Sequence, residues 1–152
     1  MSRIGDLGKE MSNLPSLLAG YDEQLEQARL VIPVKGKTLE TAQREQCSWF
    51  VYFDERRVEL KTLVKYMTAH VAKVRGALTR KYNEVPSKAL GERLIKNYID
   101  HDIEYLKAYE LLLEVEELFE KYESITDAFT KRGFALRDIT SARISEVHNT
   151  PI

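Results

Sequence analysis

The chain has 152 residues and a net charge of −1 at neutral pH, so its overall charge favours neither a nucleic acid nor a membrane surface. This length suits one domain that buries about 70% of its unfolded surface. Four prolines, seven glycines and 31% charged residues favour a helical protein over a β-sandwich or a barrel.

The cysteine count and the hydropathy indicate the cellular compartment of the protein. Cys47 is the only cysteine, which excludes an internal disulfide framework and is typical of a reducing compartment. No apolar run approaches the roughly 18 residues that cross a bilayer, and the first residues lack the pattern of a secretory signal. We therefore expect a cytoplasmic protein with no membrane partner.

The first predicted helix follows residues 1–13, which we expect to fray. Pro15 at a first-turn position, followed by apolar residues at helical spacing, predicts a helix that ends at Pro33. A turn through Gly36 comes next, and the hydroxyl of Thr38 is placed to cap the second helix.

The second helix, from Thr38 to Tyr82, repeats a coiled-coil stripe in which steps of three and four residues alternate. The stripe consists of Phe50, Phe53, Arg57, Leu60, Val64, Met67, Val71, Val74 and Leu78. Arg57 is its only polar member, and we expect it to pair with an acid on the third helix because an unpaired buried charge is costly.

The third predicted helix runs from a cap at Ser87 to about Lys131. Its stripe contains Leu94, Tyr98, His101, Tyr105, Ala108, Leu112, Val115, Phe119, Tyr122, Thr126 and Phe129. Two long stripes joined by a short link predict an all-α fold built on a long antiparallel helical hairpin.

Gly133 is predicted to end the third helix in a left-handed conformation. A further short helix would then present Ala135, Leu136, Ile139, Ala142 and Val147. At about thirteen residues such a helix is marginal unless it packs on something, either its own hairpin or other copies. We therefore divide the chain into a helical domain, 1–132, and a C-terminal oligomerisation tail, 133–152.

Residues with catalytic or metal-binding chemistry do not form a recognisable pattern. The three histidines lie far apart, and no phosphate-binding loop or nucleophile elbow is present. Asp100, His101 and Asp102 are adjacent, but consecutive helical residues point in different directions, which favours a capped or solvated patch. We expect no enzymatic activity, no cofactor and no metal.

Charge is distributed unevenly along the two long helices. From Arg56 to Lys81 there are eight Lys or Arg residues and one acid, whereas Tyr98 to Asp127 contains ten acids and two lysines. Cations interleaved with aromatic residues are typical of proteins that hold single-stranded nucleic acid. In the alternative interpretation the cations pair with the acids of the third helix, the aromatic residues such as Trp49 are core, and the protein is a coiled-coil scaffold or adaptor. The charge pattern alone leaves both interpretations open.

The C-terminal third resembles one protein family. The similarity covers Leu111 to Glu114 and Ile125 to Phe129, and its most specific part is the run TKRGFALRDI at 130–139. Arg-Gly-Phe-Ala followed by apolar and basic residues is similar to the corresponding segment of the UvsY family of phage recombination mediators. A looser similarity upstream consists of Ser48 with Trp49, and of Lys73-Val74-Arg75 with Tyr82.

This resemblance implies an all-helical subunit that forms a homo-oligomeric ring, a heptamer, on single-stranded DNA, in the host cytoplasm if the protein is phage-encoded. Its partners would be a single-strand-binding protein, whose hold on the DNA it weakens, and a RecA-like recombinase, which it loads. The expected DNA-binding residues are Lys61, Lys65, Tyr66, Lys73, Arg75, Arg80, Lys81 and Tyr82. The expected oligomer interface is formed by Phe134, Leu136, Ile139, Ala142 and Val147.

Overall fold

The computed structural model describes residues 11–84 and 91–148, and within these ranges the chain is entirely helical apart from its turns. A 3₁₀ turn at Met11–Asn13 leads into α1, and the helices are α1 (Leu14–Val31), α2 (Leu39–Asn83), α3 (Glu92–Asp100) and α4 (Ile103–His148). The predicted all-α class is therefore confirmed. The predicted cap at Ser87 lies outside the described residues.

The N-terminal helix has the predicted extent. Pro15 occupies the first turn of α1, where its missing N–H needs no intrahelical partner, and Pro33 follows the end of the helix. The buried face of α1 steps by four and three residues: Leu14, Leu18, Tyr21, Leu25 and Ala28. This spacing keeps one stripe of the helix against the core.

The start of α2 also follows the predicted signals. Gly36 has φ of 85°, a left-handed conformation that costs a glycine little. The backbone N–H of Thr41 donates to Thr38 Oγ1 at 3.2 Å, which confirms the predicted cap. The helix ends at Asn83, one residue after the predicted end at Tyr82.

The third helix was predicted to be continuous, and the structure corrects this. α3 and α4 are separate, and Asp102 caps α4 by accepting the Glu104 N–H on Oδ1 at 2.9 Å. The break changes the helical phase, so the buried residues of α3 are Ile95 and Ile99. The predicted stripe residues of this segment, Leu94, Tyr98 and His101, are exposed.

Gly133 does not end a helix. It lies inside α4, which continues without interruption to His148, and it is not left-handed. The separate C-terminal helix predicted after Gly133 is therefore wrong. The buried stripe continues across the glycine, because Phe129, Arg132 and Leu136 are spaced by three and four residues and all are buried.

The chain divides into two compact units, residues 1–59 with 120–152, and residues 60–119. The first unit contains α1, the start of α2 and the end of α4. Its largest buried side chains include Phe53, Tyr122 and Phe129, and the Phe53 and Phe129 rings stack at 5.3 Å. Burying each such side chain stabilises the fold by about 1.5–3 kcal/mol.

Within the first unit, contacts between α2 and α4 pair residues in opposite order. Gln43 bonds to Thr140, Gln46 bonds to the Phe129 carbonyl, and Phe53 contacts Tyr122. These two segments therefore run antiparallel.

The second unit contains the rest of α2, all of α3 and the first part of α4. The predicted stripe residues Leu60, Met67 and Leu78 are buried, as is Leu63 beside them. Leu78 packs with Ile95 and Ile99, and α4 adds Ala108, Leu112, Val115 and Leu118 to the buried set.

Candidate nucleic-acid interface

Five predicted DNA-binding cations are exposed on α2 within the second unit. We call these five residues the basic face: Lys61, Lys65, Lys73, Arg80 and Lys81. No acid occurs between Leu60 and Asn83, so every charged side chain that this segment itself carries is a cation. At about 100° per residue, Lys61 and Lys65 lie on one side of the outer surface, and Lys73 and Arg80 on the other.

The acids of α4 do not neutralise this surface inside the chain. Within 11–84 and 91–148, the side chains of Lys61, Lys65, Lys73 and Arg80 form neither a hydrogen bond nor an ion pair. Lys81 lies over the Tyr82 ring, with 5.8 Å between Nζ and the ring centroid, and its ammonium group stays exposed. The intramolecular pairing that the alternative interpretation requires is therefore not found for these lysines and for Arg80.

Arg75 differs from the other predicted cations because it is half-buried and already paired. Its Nη2 lies 3.2 Å from Asp100 Oδ1, and its guanidinium lies over the Tyr105 ring at 5.4 Å from the centroid. Both contacts join α2 to the neighbouring helices of the same unit. Arg75 is therefore a packing residue and not part of the exposed cation set.

Tyr82 is also engaged in packing. Its hydroxyl donates to Asp102 Oδ2 at 2.7 Å, and its ring stacks on Tyr98 with 5.6 Å between centroids. The hydrogen bond to the carboxylate raises the pKa of Tyr82, and the same bond lowers the pKa of Asp102. The Tyr98 ring therefore covers one face of the Tyr82 ring. Tyr98 itself is 47% exposed.

Tyr66 is half-buried and lies seven residues before Lys73, which places both side chains on the same side of α2. It is the predicted stacking residue that lies nearest the middle of the basic face. A base held beside Lys73 could therefore meet an aromatic ring on this side of the helix.

The aromatic residues at the other end of α2 pack against one another, and of Trp49, Tyr52 and Phe53 only Phe53 is buried. Trp49 packs against Tyr52 and Phe53, with centroids 5.8 and 6.0 Å apart.

Arg57 was expected to pair with an acid on the third predicted helix. It pairs instead with Asp54 on its own helix, at 2.8 Å.

The most informative residue that sequence reasoning missed is Arg132. It is 5% exposed, and its guanidinium donates to the carbonyls of Ile32 and Ala42 and to Gln46 Oε1, at 3.0, 3.2 and 2.5 Å. Ile32 follows the last residue of α1, so a positive charge meets an unpaired carbonyl at the negative end of that helix. Burial lowers the pKa of Arg132, but an arginine at this position stays charged.

Gly133 allows Gln46 to reach this network. A β-carbon at position 133 would lie 3.0 Å from Gln46 Nε2. The same nitrogen donates to the Phe129 carbonyl at 2.6 Å, while Gln46 Oε1 accepts from Arg132. The adjacent Arg and Gly of the family-like run therefore join all three helix segments of the first unit.

The structure buries one residue of the predicted oligomer interface and exposes others. Leu136 is 2% exposed and belongs to the core, so it offers no surface to another copy. Phe134 is 53% and Ile139 39% exposed, and Ala142 is exposed as well. The side chain of Val147 lies outside the described residues.

The adjacent acids and histidine at 100–102 face separate partners. Asp100 pairs with Arg75, Asp102 with Tyr82, and His101 Nδ1 lies 2.8 Å from the Asn97 carbonyl. Among the described residues no group of three or more His, Cys, Asp or Glu side chains could hold a metal ion. The same part of the chain contains no helix long and apolar enough to cross a membrane.

No protein-family model matches the chain, and no curated protein or solved structure matches it either. The residues at 111–139 therefore remain the basis of the resemblance described above.

Proposed function

We propose that this protein is a non-enzymatic recombination mediator that binds single-stranded DNA through the basic face. The observation that carries the proposal is the exposure of Lys61, Lys65, Lys73 and Arg80 without intramolecular ion pairs in the described chain. Lysine and arginine side chains left in solvent bind phosphates by releasing condensed counterions. The protein would weaken the hold of a single-strand-binding protein and help a RecA-like recombinase to form its filament.

Assembly is part of the proposal. Copies would form a ring, a heptamer, through the exposed Phe134, Ile139 and Ala142 near the end of α4, and each subunit would be a long antiparallel hairpin. Several weak basic faces then act together, because a strand held by one subunit meets the next at high effective concentration. Modest affinity for each site would leave the strand free to pass to the recombinase.

Salt dependence of binding tests the phosphate contacts. If all five cations of the basic face neutralise phosphates, log K for an oligothymidine should fall with log salt at a slope of about −3.5. Fluorescence anisotropy at several salt concentrations measures this slope. A flat response would favour the coiled-coil scaffold without a nucleic-acid role.

Two cations two residues apart provide a matched pair for the same assay. Lys73→Ala removes an exposed cation and should reduce the magnitude of the slope by about 0.7. Arg75→Ala removes a cation that already pairs with Asp100, so it should leave the slope nearly unchanged. Equal changes in the two variants would contradict the assignment of Lys73 to DNA and Arg75 to packing.

A further inference from the structure

The first part of α4 exposes an apolar stripe on the side opposite its buried residues. Ile103, Leu106, Tyr109 and Leu113 are 66%, 41%, 42% and 45% exposed. Their spacing of three, three and four residues keeps them on one side of the helix. These four large apolar side chains lie close together in solvent, whereas exposed apolar residues are usually scattered singly. Such a patch is typical of an interaction site.

Acids flank this stripe. Glu110 and Glu114 are exposed beside Leu106 and Leu113, and Glu117 is exposed one turn further along the same side of the helix. Between Ile103 and Glu117 there are five acids and one base, Lys107. We call this surface, the four apolar residues with Glu110, Glu114 and Glu117, the acidic apolar face.

The basic face has the complementary character. Between its two sides, α2 presents the small exposed residues Ala69, Ala72 and Gly76, over which larger side chains could pack closely. Lys65 to Gly76 and Leu106 to Glu117 each cover eleven steps, or about 16 Å of helix. Apolar residues flanked by opposite charges on the two helices are the arrangement by which coiled coils select a partner.

We propose that the acidic apolar face of one copy docks on the basic face of a second copy. Both faces lie in the second unit, and in the described chain the cations at 61, 65, 73 and 80 make no ion pair with these acids. A neighbouring molecule would therefore supply the carboxylates that these four cations lack within the described chain. Because the two surfaces differ, the contact is head-to-tail, a geometry that builds rings or open chains.

A regulatory consequence rests on the proposed function, whereas the docking itself does not. Phosphates of single-stranded DNA and glutamates of a neighbouring copy would compete for the same lysines. The free protein would thus associate through its DNA-binding surface in addition to the contact at Phe134, Ile139 and Ala142. DNA would open the first of these contacts and leave the second in place.

Charge reversal tests the docking without DNA. In sedimentation velocity at low salt, the double variant Glu110→Lys with Glu114→Lys should need an at least tenfold higher protein concentration before half of the protein is assembled. Lys65→Glu with Lys73→Glu should do the same. An equimolar mixture of the two proteins should restore assembly, because the two intact faces pair with each other and the two reversed faces are again opposite in charge. A matched control, Glu23→Lys with Glu26→Lys on the exposed side of α1, should leave the mass distribution unchanged.

Two results would overturn the docking: single-face variants that assemble like the wild type, or a mixture that fails to recover assembly. Circular dichroism of each variant shows whether it folds, and Glu110→Gln with Glu114→Gln provides a milder form of the same test. Adding an oligothymidine to the wild type separates the two proposals. A fall in mass supports competition between DNA and the acidic apolar face for the same lysines. If the mixture recovers assembly but a bound oligonucleotide leaves the mass unchanged, the DNA binds elsewhere on the protein.

Discussion

In its first part α2 directs polar side chains at neighbouring helices, whereas in its second part most of its cations stay in solvent. Gln46 and Arg56 reach α4 and α1 through hydrogen bonds in the first unit. In the second unit Lys61, Lys65 and Lys73 reach no neighbour among the described residues. One helix therefore stabilises the fold at its start and exposes cations further along.

The largest expected effect tests the buried network of the first unit. Arg132→Met fills similar space but removes all donors to Ile32, Ala42 and Gln46, so the free energy of unfolding should fall by about 3 kcal/mol. Urea denaturation followed by circular dichroism measures this change. Arg137→Met, at an exposed position on the same helix, should change stability by less than about 0.5 kcal/mol. A loss below about 1 kcal/mol for Arg132→Met would show that the network is not a main support of this unit.

A second test uses the buried tyrosines of the first unit. Burial raises the pKa of Tyr21, as does its hydrogen bond to Glu59, and burial raises the pKa of Tyr122. The unfolded chain loses these protons from about pH 10 while the native state keeps them, so their stabilising contribution is present below pH 10 and is lost as pH rises above it.

Each tyrosine should cost on the order of 1 kcal/mol of stability by pH 11. Urea midpoints at pH 9 and pH 11 measure this loss, with the titration of other groups as a common background. Tyr122→Phe should be less stable than the wild type at pH 9, because it loses a bond to the Tyr21 carbonyl, yet it should decline less between the two pH values. A decline equal to that of the wild type would remove Tyr122 from the pH dependence.

The smallest expected effect compares one glycine from each unit. Gly76→Ala meets nothing within 4 Å on an exposed helix, so it should raise stability by about 1 kcal/mol through helix propensity. Gly133→Ala gains the same propensity but displaces Gln46 from two hydrogen bonds, which offsets the gain by about 1–2 kcal/mol. Thermal unfolding of both variants tests the difference, and equal stabilisation would mean that Gln46 moves aside freely.

Local signals in the sequence predicted much of the helical framework. Pro15, Thr38 and the spacing of Phe53, Leu60 and Met67 act within a few turns of helix, and the structure places them as expected. The failures involve partners distant in sequence. Gly133 has the local features of a helix end, and only contact with Gln46, 87 positions earlier, accounts for a glycine inside α4.

The candidate site was predictable to a similar degree. The charge pattern identified the cationic part of α2, because eight Lys or Arg residues against one acid can be read without tertiary information. The pairing of Arg75 with Asp100 and of Tyr82 with Asp102 could not be foreseen, since it depends on the break between α3 and α4. Asp102 gave a signal for that break, an acid placed to cap a following helix, although the regular apolar spacing favoured continuity.

Asp102 also links the end of α2 to the start of α4. One carboxylate oxygen accepts the Tyr82 hydroxyl while the other accepts the Glu104 amide, so the last turn of α2 and the first turn of α4 share a single side chain. An oligonucleotide base that displaces the Tyr82 ring would disturb that amide as well. The ¹⁵N chemical shift of Glu104 is thus a built-in reporter of events at the end of the cationic surface, readable without any attached dye.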